Sequence, residues 1–132
     1  MSIVVGYVPR REGLAALEAA VAEALRRNEP LVVVNAGADA DPFGSGLAER
    51  RDLEAMCRPL ADAGVPHEIR QPRRGLSPAD ELLVAVEDSG ARLLVLGPRD
   101  HRHPRAGHSD STVVRLLLEA GCDVLVVRFA GV

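Results

Sequence analysis

The sequence contains no lysine: its 16 Lys-plus-Arg positions are all arginine, set against 19 Asp and Glu. That absence removes two chemistries at once. A Walker-type phosphate loop needs its lysine on the β- and γ-phosphates, and a Schiff-base enzyme needs a lysine nucleophile. Tryptophan is absent too, and the aromatic residues are only Tyr7, Phe43 and Phe129. So few rings cannot build a base-stacking platform. A net charge of -3 also lacks the basic face of a general nucleic-acid binder. No apolar run approaches the ~18 residues of a membrane span. Cys57 and Cys122 are too few for a disulfide framework in such a chain. No basic leader precedes Ile3-Val4-Val5, so a cytoplasmic protein with no nucleic-acid and no membrane partner is expected.

What is present suits one globular domain spanning residues 1–132. Hydrophobic residues make up 47% of the chain, enough for a core, and charged residues 27%, enough for a soluble surface. Short apolar runs alternate with helical patterns. Ile3 to Tyr7, Leu31 to Val34, Leu93 to Leu96 and Val124 to Val127 read as buried strands. His67 to Arg70 is more polar and is expected at a sheet edge.

Between the strands, residues 12–27 form a helix whose Leu14, Leu17, Val21 and Leu25 share a face, with Asn28 as terminator and Pro30 beyond it. Residues 47–63 form a second, with Leu53, Met56, Cys57 and Leu60 at helical spacing and Gly64 at its end. A third opens at Ser77-Pro78-Ala79-Asp80. There Ser77 caps, Pro78 suits the first helical position and Asp80 completes a capping box. Its inner stripe is Ala79, Leu82, Leu83 and Val86, and Gly90 closes it. A fourth runs over residues 111–120. Strands that are apolar throughout, alternating with helices, imply an α/β fold. The expected architecture is a single-domain doubly wound sandwich, a five-stranded mainly parallel sheet flanked by about four helices. Ligands in such folds bind outside the carboxyl ends of the strands, at the switch point. The loops after the first, second and fourth strands are therefore the candidate site.

The C-terminal half carries a more specific pattern. Leu93-Leu94-Val95-Leu96-Gly97, a long loop, Ser111 on a helix, and then Ala120-Gly121-Cys122-Asp123-Val124 resemble the universal stress protein family. The opening Ile3-Val4-Val5-Gly6-Tyr7-Val8, together with Ala63-Gly64-Val65 and the Ser77-Pro78-Ala79 helix start, fits the same family. The resemblance implies the adenine nucleotide alpha hydrolase-like fold and a role in stress response or regulation. In the family's nucleotide-binding members a glycine ends the fourth strand. A second glycine follows after two residues, and a third after nine more, next to a Ser or Thr. Gly97 and Ser111 match the first glycine and the hydroxyl residue, so they are the candidate nucleotide-binding pair. The second glycine position holds Asp100, the third holds Asp110, and the family's acidic residue after the first strand is replaced by Val8.

These departures disfavour a triphosphate. A glycine that sits against a ligand is poorly replaced by a residue with a side chain. A carboxylate at Asp110, just before a helix, can itself satisfy the unpaired amides and positive dipole end that would attract phosphate. A phosphate ~4 Å from one carboxylate costs on the order of 1 to 4 kcal/mol in repulsion, depending on the local dielectric. The expected site is vestigial, with no cofactor, no catalytic residue and no enzymatic activity. ATP, with a divalent cation bridging the carboxylates, is the alternative.

Other features have ordinary readings. His101, His103 and His108 in the 98–109 loop have a count that suits zinc. They lack any recognised spacing, and a solvated loop accounts for them, so no metal is expected. The same histidines could instead make an anion loop that charges as pH falls through ~6.5. Ser111, followed by Thr112, could contact phosphate oxygens; equally, Ser111 or Ser109 could be only a helix cap. Cys57 reads as a core residue, and Cys122 as a buried position with a redox role as the less expected alternative. Gly44-Ser45-Gly46 lacks the third glycine of a dinucleotide fingerprint and reads as a loop. The apolar final strand invites pairing if left open. The resemblance implies a homodimer joined through that strand, acting on an unidentified protein partner.

Overall fold

The computed structural model describes residues 1–7, 11–35, 58–71, 76–97 and 110–128. Within them the chain alternates β1 (Ser2–Gly6), α1 (Arg11–Arg27), β2 (Leu31–Val34), α2 (Arg58–Asp62), β3 (His67–Arg70), α3 (Pro78–Ser89), β4 (Ala91–Leu96), α4 (Asp110–Glu119) and β5 (Asp123–Val126). The five strands form one sheet in the order β3-β2-β1-β4-β5. All four neighbouring pairs are parallel.

The apolar strands follow from this layering. Successive side chains leave a strand on opposite faces, so a sheet covered on both sides needs apolar residues at every position. Ile3, Val5, Leu31, Val33, Leu93 and Val95 face a core shared with Leu17 of α1 and Leu60 of α2. Val4, Val32, Val34, Leu94 and Leu96 face a second core shared with Leu82 of α3 and Leu116 of α4. Two helices on each face make the sandwich doubly wound, as the sequence pattern predicts. The polar β3 is an edge strand. Its Arg70 is held by Glu68 at 2.8 Å and by Asp88 of α3 at 2.9 Å.

One expectation for α1 is corrected. Leu17 is buried, but Leu14 is 37% and Leu25 54% exposed. The face turned to the sheet is instead Gly13, Ala16, Leu17, Ala20 and Ala24. Small residues let a helix backbone settle close to a sheet of branched side chains, and the larger Leu14, Val21 and Leu25 then fall on the flank. A ranking by side-chain hydrophobicity picks out that flank, because alanine carries little weight in it.

The helix ends are as the local chemistry dictates. Asn28 stops α1 with φ 55, a conformation asparagine tolerates. Gly90 stops α3 with φ 63, where its amide bonds back to Glu87 and Val86. Ser77 caps α3: its Oγ accepts from the Asp80 amide at 3.2 Å and donates to Asp80 Oδ2 at 3.0 Å. The Ser77→Ala substitution is expected to lower unfolding free energy by about 1 kcal/mol. An unchanged urea midpoint would show that the cap adds nothing.

Leu53, Met56 and Cys57, expected on the second helix, lie outside the described residues, as do the Gly44-Ser45-Gly46 loop and the 98–109 loop.

Candidate functional site

The topology places a crevice between β1 and β4. From these neighbouring strands the chain leaves toward opposite faces, into α1 on one side and α4 on the other. Loops that part in this way leave an opening at the carboxyl edge of the sheet. Since β4 and β5 are parallel, α4 must run back against them. Its first turn therefore lies at that same edge, with its free amides and positive dipole end there.

Gly97 follows the last residue of β4 directly and is buried. Ser111 is the second residue of α4 and is exposed. The two expected site residues thus stand on either side of residues 98–109 in the chain, one at the strand end and one on the helix start. Asp110 is the first residue of α4, so the third glycine position of the family pattern falls on the opening turn of the helix. Val8, Asp100, His101, His103 and His108 lie outside the described residues. Among the described residues there is no group of three or more side chains arranged to hold a metal.

Three polar residues at this edge were not singled out as a set by sequence reasoning. Tyr7 continues β1, and its amide donates to the Val34 carbonyl at 2.9 Å. Asn35 continues β2 and donates its amide to Arg70 at 2.9 Å. Thr112 lies in the first turn of α4. All three are buried, and each is engaged by further interactions within the chain. Their common signal is position: Tyr7 and Asn35 each follow an apolar strand, and Thr112 follows Ser111 in the helix start. They place buried polar groups at the ends of β1 and β2 and in the first turn of α4.

Asp80 and Arg115 brace the helices behind it. Arg115 of α4 donates to Asp80 of α3 at 2.5 Å and to Glu119 at 2.7 Å. The guanidinium, and after it the Ser77 hydroxyl, hold the Asp80 carboxyl below the usual carboxylate range. Both side chains stay well exposed, so the pair positions α4 against α3 more than it stabilises the fold. Cys122 is a free, half-buried thiol just before β5. Burial first, and the neighbouring Asp123 carboxylate second, push its pKa up. A thiol held protonated is a poor nucleophile, so these described neighbours work against activation of Cys122.

No helix among the described residues is long and apolar enough to cross a membrane. A family model described as the universal stress protein family matches residues 1–128. A universal stress protein of Mycolicibacterium smegmatis is 41% identical over 130 residues, covering 98% of both chains. The universal stress protein of Archaeoglobus fulgidus, solved in complex with dAMP, superposes with a TM-score of 0.68 at 21% identity, over 96% of this chain and 97% of that one. A universal stress protein family member of Arabidopsis thaliana with AMP bound superposes with a TM-score of 0.60 at 17% identity, over 97% of this chain and 92% of the other. The structural likenesses establish the adenine nucleotide alpha hydrolase-like fold, and the family match and the mycobacterial relative establish descent: the chain belongs to the universal stress protein family.

Proposed function

We propose that the protein is a homodimeric, non-enzymatic regulatory domain of the stress response that binds ATP weakly or not at all and acts through contacts with a protein partner. The observation that carries this reading is the placement of Asp110 on the first residue of α4. The crevice keeps the strand-end Gly97 and the helix hydroxyl of Ser111. At the helix start that a phosphate would approach, however, the sequence carries an aspartate. Asp100, in the same connection, adds a second negative charge by sequence. The same connection carries Arg99, Arg102 and Arg105, which offset that charge only in part if they also serve the two aspartates. A carboxylate at the positive end of α4 would give the crevice little electrostatic reason to take up three phosphates.

Calorimetric titration with ATP, with and without magnesium or manganese, tests the reading. Heat is expected to remain undetectable at millimolar nucleotide. Micromolar affinity in the presence of a cation would overturn it, and would mean that the aspartates recruit the metal.

A second reading has specific support. Two structural relatives are solved with monophosphates, one in complex with dAMP and one with AMP bound. A monophosphate meets the aspartates with less charge than ATP does. AMP titrated beside ATP separates the two readings: binding of AMP alone favours a mononucleotide sensor, and binding of neither favours the vestigial site.

The dimer half of the proposal is supported by β5. It is an edge strand whose Val124, Leu125 and Val126 are only half-buried. An apolar edge of this kind is a template for another strand, and a second copy of β5 is the partner proposed.

A further inference from the structure

Helix α1 carries large apolar side chains that the sheet does not use. Leu14 is 37% and Leu25 54% exposed, and Val21 between them is half-buried. Together with the exposed Glu18 they follow one another at intervals of four, three and four residues. That spacing is the seam of a coiled coil, in which steps of three and four keep one stripe facing a partner helix. At ~100° per residue the four side chains fall within an arc of ~60°, and at ~1.5 Å per residue the stripe is ~16 Å long. Gly13, Ala16, Leu17, Ala20 and Ala24 occupy the neighbouring arc and are buried against the sheet. On the outer side of the stripe stand Ala15 and Ala22, small enough to let another helix come close.

Glu18 is the one charged member of the stripe. A residue on a helix surface reaches those three and four places away. For Glu18 these are Leu14, Ala15, Val21 and Ala22, none of them a cation. The arginines at the end of the helix are engaged elsewhere: Glu23 holds Arg26 at 2.6 Å and Arg27 at 3.0 Å. Among the described residues no ion pair reaches Glu18.

We infer that this stripe is a docking surface for an amphipathic helix of another protein, one whose apolar seam carries an arginine or lysine opposite Glu18. The inference rests on the protein-partner reading given above, and names the surface and the chemistry which that reading leaves open. Charge selects the occupant. In a second copy of α1 laid parallel, Glu18 would meet Glu18. Laid antiparallel with Leu14 against Leu25, Glu18 would meet Val21 and lose water without gaining a partner. A basic residue in the seam of a different helix gives the carboxylate its counter-ion and rejects partners that lack one. The stripe is also short. A contact of this length falls below the ~800 Å² per partner of a standard stable interface, which suits a regulatory contact that is made and released.

Fluorescence anisotropy with two designed peptides tests this on the intact chain. Both are helices of about three heptads with a leucine seam. One has an arginine at its central seam position and the other a glutamate there. The arginine peptide is expected to bind ~10-fold or more tightly than the glutamate peptide, and Glu18→Arg is expected to reverse that order. Leu25→Glu is expected to weaken binding of the arginine peptide ~10-fold or more, and Leu14→Glu to act in the same direction. Leu76→Glu, at an exposed apolar residue elsewhere, is expected to leave binding unchanged. Circular dichroism checks that each variant is folded. If neither peptide binds the wild type, or if Glu18→Arg does not reverse the preference, the docking surface is overturned. Loss of self-association in Leu25→Glu, followed by sedimentation velocity, would also overturn it by making a second copy the occupant. ATP titrated into the same protein is a separate readout: micromolar ATP affinity overturns the weak-nucleotide reading and leaves the peptide result standing.

Discussion

Restoring glycine at both aspartate positions, Asp100→Gly with Asp110→Gly, is expected to raise ATP affinity by about 100-fold relative to the parent protein. The magnitude comes from charge. Each carboxylate ~4 Å from a phosphate opposes binding by on the order of 1 to 4 kcal/mol, and every ~1.4 kcal/mol is tenfold in affinity. Two such groups removed together more than cover the expected gain, even after solvent screens part of the repulsion. The structure supplies the reason to expect the gain at Asp110 in particular. It opens α4, and removing a carboxylate from that turn frees amides and a positive dipole end for an incoming anion. Gly97 and Ser111 are already in place at the two ends of the connection.

The substitution is not free of cost to the fold. A first-turn carboxylate favours helix formation, and glycine in a helix is about 1 kcal/mol less favourable than alanine. A small loss of thermal stability without nucleotide, recovered on adding ATP, would be the combined signature. Calorimetry on the single and double variants separates the contributions. If the double variant binds no better than the parent, charge exclusion is wrong, and the loss of the acidic residue at the Val8 position becomes the stronger explanation. Val8 lies at the nucleoside end of the family pattern, so its effect would extend to adenosine, which carries no phosphate. Failure of adenosine to bind the double variant would identify it.

The legibility of this fold in its sequence varies with what each residue depends on. β1, β2 and β4 are legible because both of their faces are covered, so Ile3-Val4-Val5, Leu31 to Val34 and Leu93 to Leu96 carry the signal at every position. The edge position of β3 is legible in Glu68 and Arg70. The stops at Asn28 and Gly90 and the start at Ser77-Pro78 are legible because backbone conformation and capping are local properties. The buried face of α1 is not legible in the same way. It depends on how closely the helix approaches the sheet, which is a property of the partner surface as much as of the helix. Burial of Asn35 and Glu81 is likewise a tertiary matter, since nothing in their neighbouring residues distinguishes them from surface polar positions. The carboxyl edge of the sheet was legible as a place through strand order, and the structure puts the candidates Gly97 and Ser111 at that edge. The burial of Tyr7, Asn35 and Thr112 becomes visible only once elements that are distant in sequence are side by side.

The most damaging single truncation is expected at the centre of this arrangement, in Leu94. It is fully buried, pairs in register with Val4 on one side and Val124 on the other, and faces the core formed with Leu82, Val86 and Leu116. Leu94→Ala leaves a cavity that the surrounding strands cannot close, because each is pinned by backbone bonds to its neighbours. The expected cost is about 2 to 5 kcal/mol, a large part of the ~5 to 15 kcal/mol available to a domain of this kind. Leu25→Ala removes the same atoms from a residue that is 54% exposed on the flank of α1, and its expected cost is below about 1 kcal/mol. Urea denaturation of both variants is a direct test of how α1 sits on the sheet. Equal losses would mean that Leu25 is part of the core after all, and that the small-residue face of Gly13, Ala16, Ala20 and Ala24 is not what the helix presents to it. A large loss at Leu94 alone supports the close approach of α1 that those small residues allow.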